Sequence, residues 1–266
     1  MTNWQEIDTY AKQWIKEAGA KIRASFSETL NIQTKSNPND LVTNIDKEIE
    51  QFFIGKIKTT FPLHTVLGEE GLDESPAEFA GIVWIIDPID GTMNFVHQQR
   101  NFAISIGIYE RGIGQIGLIY DVVHDELYHA QKGKGAYLNE IPLGILAEVK
   151  VNEAIIGVNA SWAIENPRID SQILAALVRD ARATRSLGSA ALEIAYVVSG
   201  RIDAYISLRL SPWDFAAGKV LLEEVGGIAT TLRGEPLKLL GENTVLVSKP
   251  RLYRELLEKY LMNGNW

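Results

Sequence analysis

One short segment constrains the fold of this chain more than any other. The apolar run at 82–86 (Ile-Val-Trp-Ile-Ile) has the length and composition of a buried strand, and Asp-Pro-Ile-Asp-Gly follows it at 87–91. Two carboxylates, Asp87 and Asp90, therefore stand where a buried strand ends. Two like charges are costly to bury unless cations lie between them, and oxygen ligands of this type suit Mg²⁺. The segment thus predicts a metal site at the end of a strand.

The glycine after these carboxylates adds a second feature. If a helix follows Gly91, the free backbone N–H groups of Gly91 and Thr92 favour an anion, so one phosphate could bridge the helix and the cations. A simpler interpretation fits the spacing equally well, in which Asp87 and Asp90 form a turn around Pro88 and cap the helix. The spacing alone does not decide between the two.

Two further carboxylates occupy similar places. Glu69 follows the β-like residues 65–67 within Gly-Glu-Glu-Gly, and Asp214 lies within Trp-Asp-Phe-Ala-Ala-Gly at the start of a predicted helix. Taken singly, Glu69 is typical of a solvated loop and Asp214 of a helix N-cap.

Hydrophobic periodicity predicts an α/β (layered α+β) protein. Residues 4–22 and 45–57 have the three- and four-residue spacing of amphipathic helices, and Thr2 with Gln5 would form a capping box for the first. Residues 103–138 read as an antiparallel meander, and beyond residue 151 strands and helices alternate, which predicts a second sheet. We expect one domain over 1–266, with a seam between subdomains near 145–151.

Composition excludes several functional classes. The formal net charge is −8, and the 26 Lys and Arg residues are spread without a basic run, which argues against a nucleic-acid surface. Because the chain has no cysteine, disulfides, thiolate nucleophiles and Cys-based zinc sites are excluded. The N-terminus lacks a secretory apolar core, and no uninterrupted apolar run reaches the roughly 18 residues of a membrane span. We therefore expect a cytoplasmic protein that does not enter a membrane.

Taken together, the motifs at 68–70, 87–95 and 213–218 resemble those of the inositol monophosphatase family in order and spacing. The resemblance runs over nearly the whole chain, including residues 40–46 and Gly188-Ser189-Ala190. It implies the αβαβα five-layer sandwich of the inositol monophosphatase and fructose-1,6-bisphosphatase type. It also implies a homodimer, sensitivity to lithium, and a small-molecule phosphate monoester as substrate.

The resemblance assigns a metal site with two or three Mg²⁺ ions. By position, Glu69, Asp87 and the backbone carbonyl of Ile89 would bind the first ion, and Asp87, Asp90 and Asp214 the second. Glu69 would also help to hold a third, weaker ion.

The catalytic residues follow by the same analogy. Asp46 and Thr92 would orient a water activated by the first metal, with Glu69 beside it, so no covalent phosphoenzyme is needed. The aspartyl-phosphate phosphatases instead need two aspartates separated by one residue after the strand, and position 89 is Ile. Hydrolysis by a metal-activated water is therefore the expected reaction.

The expected substrate contacts include two departures from the family. Family members that recognise inositol carry a Glu where this chain has Ser207, and Arg209 suits a second phosphate or an internal ion pair. Lys35 matches a loop of the family that closes over the site. The full set is Lys35, Asp90, Gly91, Thr92, Ser189, Ser207, Arg209 and Asp214.

Three alternatives stay open from the sequence. Specificity could be shifted to fructose 1,6-bisphosphate or the 2′-phosphate of NADP(H). A glycosidase with paired carboxylates could also use acidic strand ends, although it would not explain Gly91 and Thr92. The chain could also be an inactive scaffold or partner-binding protein that keeps the fold.

Overall fold

Two large β-sheets alternate with three helical layers in the structure, a computed structural model that describes residues 2–27, 29–35, 41–73 and 79–261. A separate two-stranded sheet joins residues 32–34 to residues 41–43. The helices are α1 (Trp4–Ala24), α2 (Asn44–Thr60), α3 (Thr92–Gln98), α4 (Ser171–Asp180), α5 (Ala190–Val198), α6 (Pro212–Glu224) and α7 (Pro250–Glu255). The strands are β1 (Ile32–Thr34), β2 (Leu41–Thr43), β3 (Thr65–Gly68), β4 (Ile82–Asp90), β5 (Ala103–Glu110), β6 (Ile113–Asp121), β7 (Glu126–Gln131), β8 (Ala136–Leu138), β9 (Ile141–Pro142), β10 (Ile155–Val158), β11 (Ala183–Arg185), β12 (Ala204–Leu210), β13 (Ile228–Thr230) and β14 (Asn243–Ser248).

Three hydrophobic cores define the order of the layers. One core joins α1 and α2 to the larger sheet, a second encloses α5 and α6 between the two sheets, and a third joins the outer face of the smaller sheet to α4 and α7. The layers therefore run α, β, α, β, α, and the predicted five-layer sandwich is confirmed. Within the described residues, every helix is too short or too polar to cross a membrane.

The two N-terminal helices begin at different kinds of cap. Thr43 and Asp46 form the capping box of α2. The predicted box of Thr2 and Gln5 is wrong, because α1 is capped by Asn3, whose side chain accepts a hydrogen bond from the backbone N–H of Glu6. Asparagine is as good an N-cap as serine or threonine, so Asn3 caps the helix in place of Thr2.

The larger sheet has seven strands in the order β3-β4-β5-β6-β7-β8-β9. Strand β3 is parallel to β4, and the other pairs are antiparallel, which confirms the predicted meander. Helices cover both faces of β4, so its side chains from Val83 to Asp90 are all buried. This double coverage explains a continuous apolar run in place of an alternating one.

The smaller sheet is the second sheet predicted from the C-terminal half. Its order is β11-β10-β12-β14-β13, with β10 parallel to β11 and β12 and with β14 antiparallel to its neighbours. Residues 143–150 connect the two sheets without a helix or strand of their own. The predicted seam falls in this connection, and the division into subdomains stays a prediction.

Helix α6 packs closely on the larger sheet because two paired glycines form its contact surface. Gly107 of β5 and Gly117 of β6 are register partners. A Cβ atom on Gly107 would lie 2.9 Å from the backbone carbon of Ala216, and one on Gly117 would lie 2.4 Å from the backbone oxygen of Ala217. The backbone of α6 therefore packs directly on the sheet. This contact fixes the distance between the sheet and the helix that carries Asp214.

We expect Gly117→Ala to lower the free energy of unfolding by about 1–3 kcal/mol, because the added methyl meets backbone that has no flexible side chain to move. Gly55→Ala is the matched control: Gly55 lies within α2, and a Cβ there meets nothing within 4 Å. This control should gain roughly 0.5–1 kcal/mol. Urea unfolding of both variants measures the difference, and equal stabilities would contradict the close packing of α6.

Candidate active site

Three carboxylates converge where β4 ends and α6 begins. One oxygen each from Asp87, Asp90 and Asp214 lies within 4.8 Å of the others. The aspartates of β4 are buried, and Asp214 is half-buried. Burial, followed by the charges of Glu69, Asp90 and Asp214, raises the pKa of Asp87 well above its ordinary value. Glu69 therefore belongs to the same electrostatic cluster.

A β-bulge in β4 brings two of these side chains to the same side. Successive side chains of a regular strand alternate between faces, so residues three apart would point in opposite directions. Asp87 pairs with Ser105 and Asp90 with Ala103, so β4 advances three residues while β5 advances two. The extra residue changes the face to which the following side chains of β4 point, as bulges do. The strand also continues to Asp90, beyond the predicted end at Ile86.

Asp90 is held by the N-terminus of α5. The hydroxyl of Ser189 donates to Asp90 Oδ2 at 2.5 Å, and the backbone N–H of Ala191 donates to the same oxygen at 2.6 Å. Burial raises the pKa of Asp90 from 3.8 to about 6, although these hydrogen bonds oppose the rise. The predicted residue Ser189 thus contacts a predicted metal ligand directly.

Asp214 and Asp46 occupy equivalent positions in two helices. Each is the third helical residue of a capping box, with Ser211 as N-cap of α6 and Thr43 as N-cap of α2. The backbone N–H of Ser211 donates to Asp214 Oδ2 at 2.7 Å. The expectation that Asp214 is itself the N-cap is therefore wrong, because the N-cap of α6 is Ser211, three residues earlier.

Asp46 connects α2 to the segment that follows β4. Its Oδ2 accepts hydrogen bonds from the backbone N–H and the hydroxyl of Thr43. The hydroxyl of Thr92 lies 3.0 Å from Asp46 Oδ1 and 3.1 Å from the carbonyl oxygen of Ile89. Burial raises the pKa of Asp46. The structure thus brings together three predicted site residues from two distant segments.

Lys35 and Glu69 also meet at this site. Lys35 Nζ lies 2.9 Å from Glu69 Oε1 and 2.7 Å from Glu70 Oε1. Burial raises the pKa of Glu69 from 4.5 to about 7, with Lys35 opposing the rise. The rest of the predicted polar loop, residues 36–40 including Asp40, lies outside the described residues.

Glu50 is a site residue that the sequence analysis missed. It is fully buried on α2, one turn after Asp46, and its two carboxylate oxygens accept hydrogen bonds from the backbone N–H groups of Glu70 (2.8 Å) and Leu72 (2.9 Å). A Cβ on Gly68 would lie 2.3 Å from this carboxylate. The available signal was a glutamate on the apolar face of a helix, four residues after another acid.

Two cavities flank Asp214. The first, of about 240 Å³, includes Asp90, Ser189, Ser207 and Asp214 in its lining, and the second, of about 290 Å³, includes Lys35, Glu69, Arg209 and Asp214. A bulge in β12 between Ser207 and Leu210 separates the two specificity candidates, with Ser207 buried and the Arg209 side chain 51% exposed. Arg209 Nε lies 4.0 Å from Glu242 Oε1, so its ion pair is loose.

The donor set fits Mg²⁺. The converging side chains of Asp87, Asp90 and Asp214 all offer carboxylate oxygens. Hard divalent cations prefer such oxygen ligands. The raised pKa values of Glu69 and Asp90 show that these groups lack sufficient compensating charge within the protein itself. A bound cation would supply that charge.

Comparison with known proteins identifies the family. Residues 3–263 match the family model described as the inositol monophosphatase family. The chain belongs to the inositol monophosphatase family. It is 63% identical over 261 residues to the inositol-1-monophosphatase of Bacillus subtilis strain 168, and the alignment covers 98% of both chains. The expected enzyme class, a phosphoric monoester hydrolase, is thereby confirmed.

Solved structures of family members agree with this fold. The inositol monophosphatase SaIMPase-II of Staphylococcus aureus, bound to inositol monophosphate, matches with a TM-score of 0.88 and 44% identity over 97% of this chain and 94% of that one. An IMPase/NADP phosphatase complexed with Mg²⁺ and phosphate matches with a TM-score of 0.88 and 31% identity over 97% and 95% of the two chains. The inositol monophosphatase family is metal-dependent, and the acidic cluster of this member could bind such a metal.

We expect Glu50→Gln to weaken Mg²⁺ binding by about 10–100-fold, the usual cost of losing an outer partner of a metal site. The amide would place an NH₂ group against one backbone N–H, so the turn after β3 that carries Glu69 would lose one of its two anchors. Titration calorimetry of the metal-free protein with MgCl₂ measures the dissociation constant. Glu48→Gln, at an exposed position of α2 that bonds Asn44, is the control; the same dissociation constant in both variants would contradict a positioning role.

We expect the metal-free protein to lose stability as the pH rises from about 5 to about 8. The pKa values of Glu69 (about 7) and Asp90 (about 6) lie above those of an unfolded chain, so the folded state binds more protons in this range. Saturating Mg²⁺ should reverse the trend because it stabilises the ionised carboxylates. Thermal unfolding at pH 6 and pH 8, in EDTA and in MgCl₂, tests this; a Mg²⁺ effect that is no larger at pH 8 would contradict it.

Proposed function

We propose that this chain hydrolyses phosphate monoesters of small hydroxylated alcohols in a Mg²⁺-dependent reaction, by attack of water and without a phosphoenzyme. The observation that carries the proposal is the convergence of Asp87, Asp90 and Asp214 within 4.8 Å. Two buried acids and one half-buried acid this close together are costly unless cations lie between them. The relative named inositol-1-monophosphatase supports inositol monophosphate as one substrate.

The ligand sets that we propose are those of the family resemblance. Glu69, Asp87 and the carbonyl of Ile89 would hold one Mg²⁺, Asp87, Asp90 and Asp214 a second, and Glu69 would contribute to a third. When bound, these ions lower the pKa of a water molecule and stabilise charge on the phosphoryl and leaving oxygens. The charges of Glu69, Asp90 and Asp214 all act on Asp87, which suits a ligand shared by two ions.

The protein itself would orient the attacking water. Asp46 is fixed by both the N–H and the hydroxyl of Thr43, so its other oxygen is directed to the hydroxyl of Thr92. With the Thr92 proton donated to Asp46, the Thr92 oxygen is left to accept a hydrogen bond from water. The water is then aligned for attack, which is the geometric part of catalysis.

The substrate phosphate would lie between the cations and the start of α3. Gly91 has a φ of +98° and is the N-cap of that helix. This left-handed conformation suits glycine. The proposal requires that the backbone N–H groups of Gly91 and Thr92 face the phosphate. Lys35, now paired with Glu69 and Glu70, would add positive charge at the same entrance.

A second candidate is a phosphatase shifted to NADP(H) or fructose 1,6-bisphosphate. The cavity lined by Lys35 and Arg209 supports this shifted specificity, because the two positively charged side chains could bind a second phosphate. The relative named an IMPase/NADP phosphatase supports it as well. We also propose the homodimer and the lithium sensitivity that the family implies, and the cytoplasmic location that the sequence predicts.

We expect Mg²⁺-dependent phosphate release from at least one of myo-inositol 1-phosphate, fructose 1,6-bisphosphate, NADP⁺ and adenosine 3′,5′-bisphosphate, and none in EDTA. Asp87→Asn should reduce the rate by more than about 100-fold, since even outer partners of a metal site cost 10–100-fold. Asp170→Asn is the control, because Asp170 caps the exposed start of α4 and asparagine caps equally well. No release by the wild type from any substrate would favour the scaffold alternative.

A further inference from the structure

A buried amide that the proposed reaction does not use lies in the first turn of α3. Asn94 is only 7% exposed. Its Nδ2 donates two hydrogen bonds, each of 2.7 Å, to the backbone carbonyl oxygens of Asn101 and Leu187. Its Oδ1 accepts a hydrogen bond of 3.1 Å from Nε2 of Gln98. Because an amide nitrogen carries two protons, both donors of Asn94 are used to join segments that are far apart in the sequence.

Two glycines allow these segments to approach one another. A Cβ on Gly188 would lie 2.9 Å from Asn94 Nδ2. A Cβ on Gly91 would lie 3.2 Å from the carbonyl oxygens of both Asn101 and Gly188. The turn between β4 and α3 is therefore packed against the same two segments that Asn94 joins.

One of the segments that Asn94 holds leads to a proposed metal ligand. The backbone N–H of Leu187 donates to Glu193 Oε1 at 2.6 Å and its carbonyl accepts from Asn94, so this residue is fixed on both sides. Two residues later, Ser189 is the N-cap of α5, and its hydroxyl donates to Asp90. The hydrogen bond that Asp90 receives from Ser189 thus depends on a contact outside the acidic cluster.

We propose that Asn94 is a positioning residue of the metal site. Its amide holds residues 187–189 against the turn between β4 and α3, and it thereby keeps the hydroxyl of Ser189 on Asp90. This inference rests on the proposed Mg²⁺-dependent function and adds a residue to its machinery. Groups that orient metal ligands from outside contribute to metal affinity. The role requires an amide, because an aspartate of the same shape has no proton to donate to the two carbonyls when it is ionised.

The first test compares two buried or partly buried asparagines. We expect Asn94→Ala to raise the Mg²⁺ dissociation constant about 10-fold, the lower end of the range for outer partners of a metal site, in titration calorimetry of the metal-free protein. Asn139→Ala is the control. Asn139 also accepts from one backbone N–H and donates to one backbone carbonyl, but it lies between β8 and β9, at the edge of the larger sheet opposite β3. This control should lower the melting temperature and leave Mg²⁺ binding unchanged.

A double-mutant cycle with Ser189→Ala tests the route of the effect. If Asn94 acts through Ser189, the double variant should bind Mg²⁺ about as weakly as the weaker of the two single variants, because coupled residues are not additive. Two effects that simply multiply would overturn the proposal. A lower melting temperature in Asn94→Ala with an unchanged dissociation constant would overturn it as well, since it would show a purely structural role.

Gly188→Ala tests the same contact from the other side if Asn94→Ala does not fold. The added methyl would meet an amide that its two carbonyl partners keep in place, at a backbone φ of +80° that already disfavours alanine. The segment before Ser189 should shift and the Mg²⁺ dissociation constant should rise; an unchanged constant would overturn the proposal. Binding is measured without substrate, so a wild type that binds Mg²⁺ but cleaves no ester would overturn the proposed function alone.

Discussion

The structure depends on keeping several carboxylates together although they repel one another. Asp46, Asp90 and Asp214 each lie at the N-terminus of a different helix, where backbone N–H groups and the helix dipole favour negative charge. Asp87 has no such helix, and burial together with the charges of Glu69, Asp90 and Asp214 raises its pKa well above its ordinary value. The layered fold is therefore also an electrostatic arrangement, in which α2, α5 and α6 direct their positive ends to the end of one strand.

Compensation by the helices is only partial, and this links stability to function. Raised pKa values at Glu69 and Asp90 mean that the folded protein without metal holds protons that an unfolded chain would release. A cation that removes this cost binds more tightly for that reason. Lys35 provides a partial substitute through its contacts with Glu69 and Glu70. The metal-free protein is thus less stable because of these carboxylates, and a bound cation restores the lost stability. Such a cost is common at functional sites.

Much of this arrangement could be predicted from local patterns. The strand before Asp87 and the helix after Ser211 follow from apolar runs and turn residues, and the joint motifs identify the family. The common orientation of Asp87 and Asp90 could not be predicted, because a bulge is defined by pairing with another strand. The separation of Ser207 from Arg209 has the same cause in β12. Glu50 was missed because a buried acid resembles a surface acid until its neighbours are known.

The close packing of Gly107 and Gly117 under α6 has a consequence for ion selectivity. Asp87 and Asp90 belong to the sheet, whereas Asp214 belongs to the helix above it, so the sheet-to-helix spacing sets the width of the ligand cage. Magnesium requires short bonds of about 2.0–2.1 Å in strict octahedral geometry, whereas calcium accepts about 2.3–2.6 Å and irregular shells. A side chain at either glycine would therefore change the spacing between sheet and helix and, with it, which of the two ions the carboxylates suit.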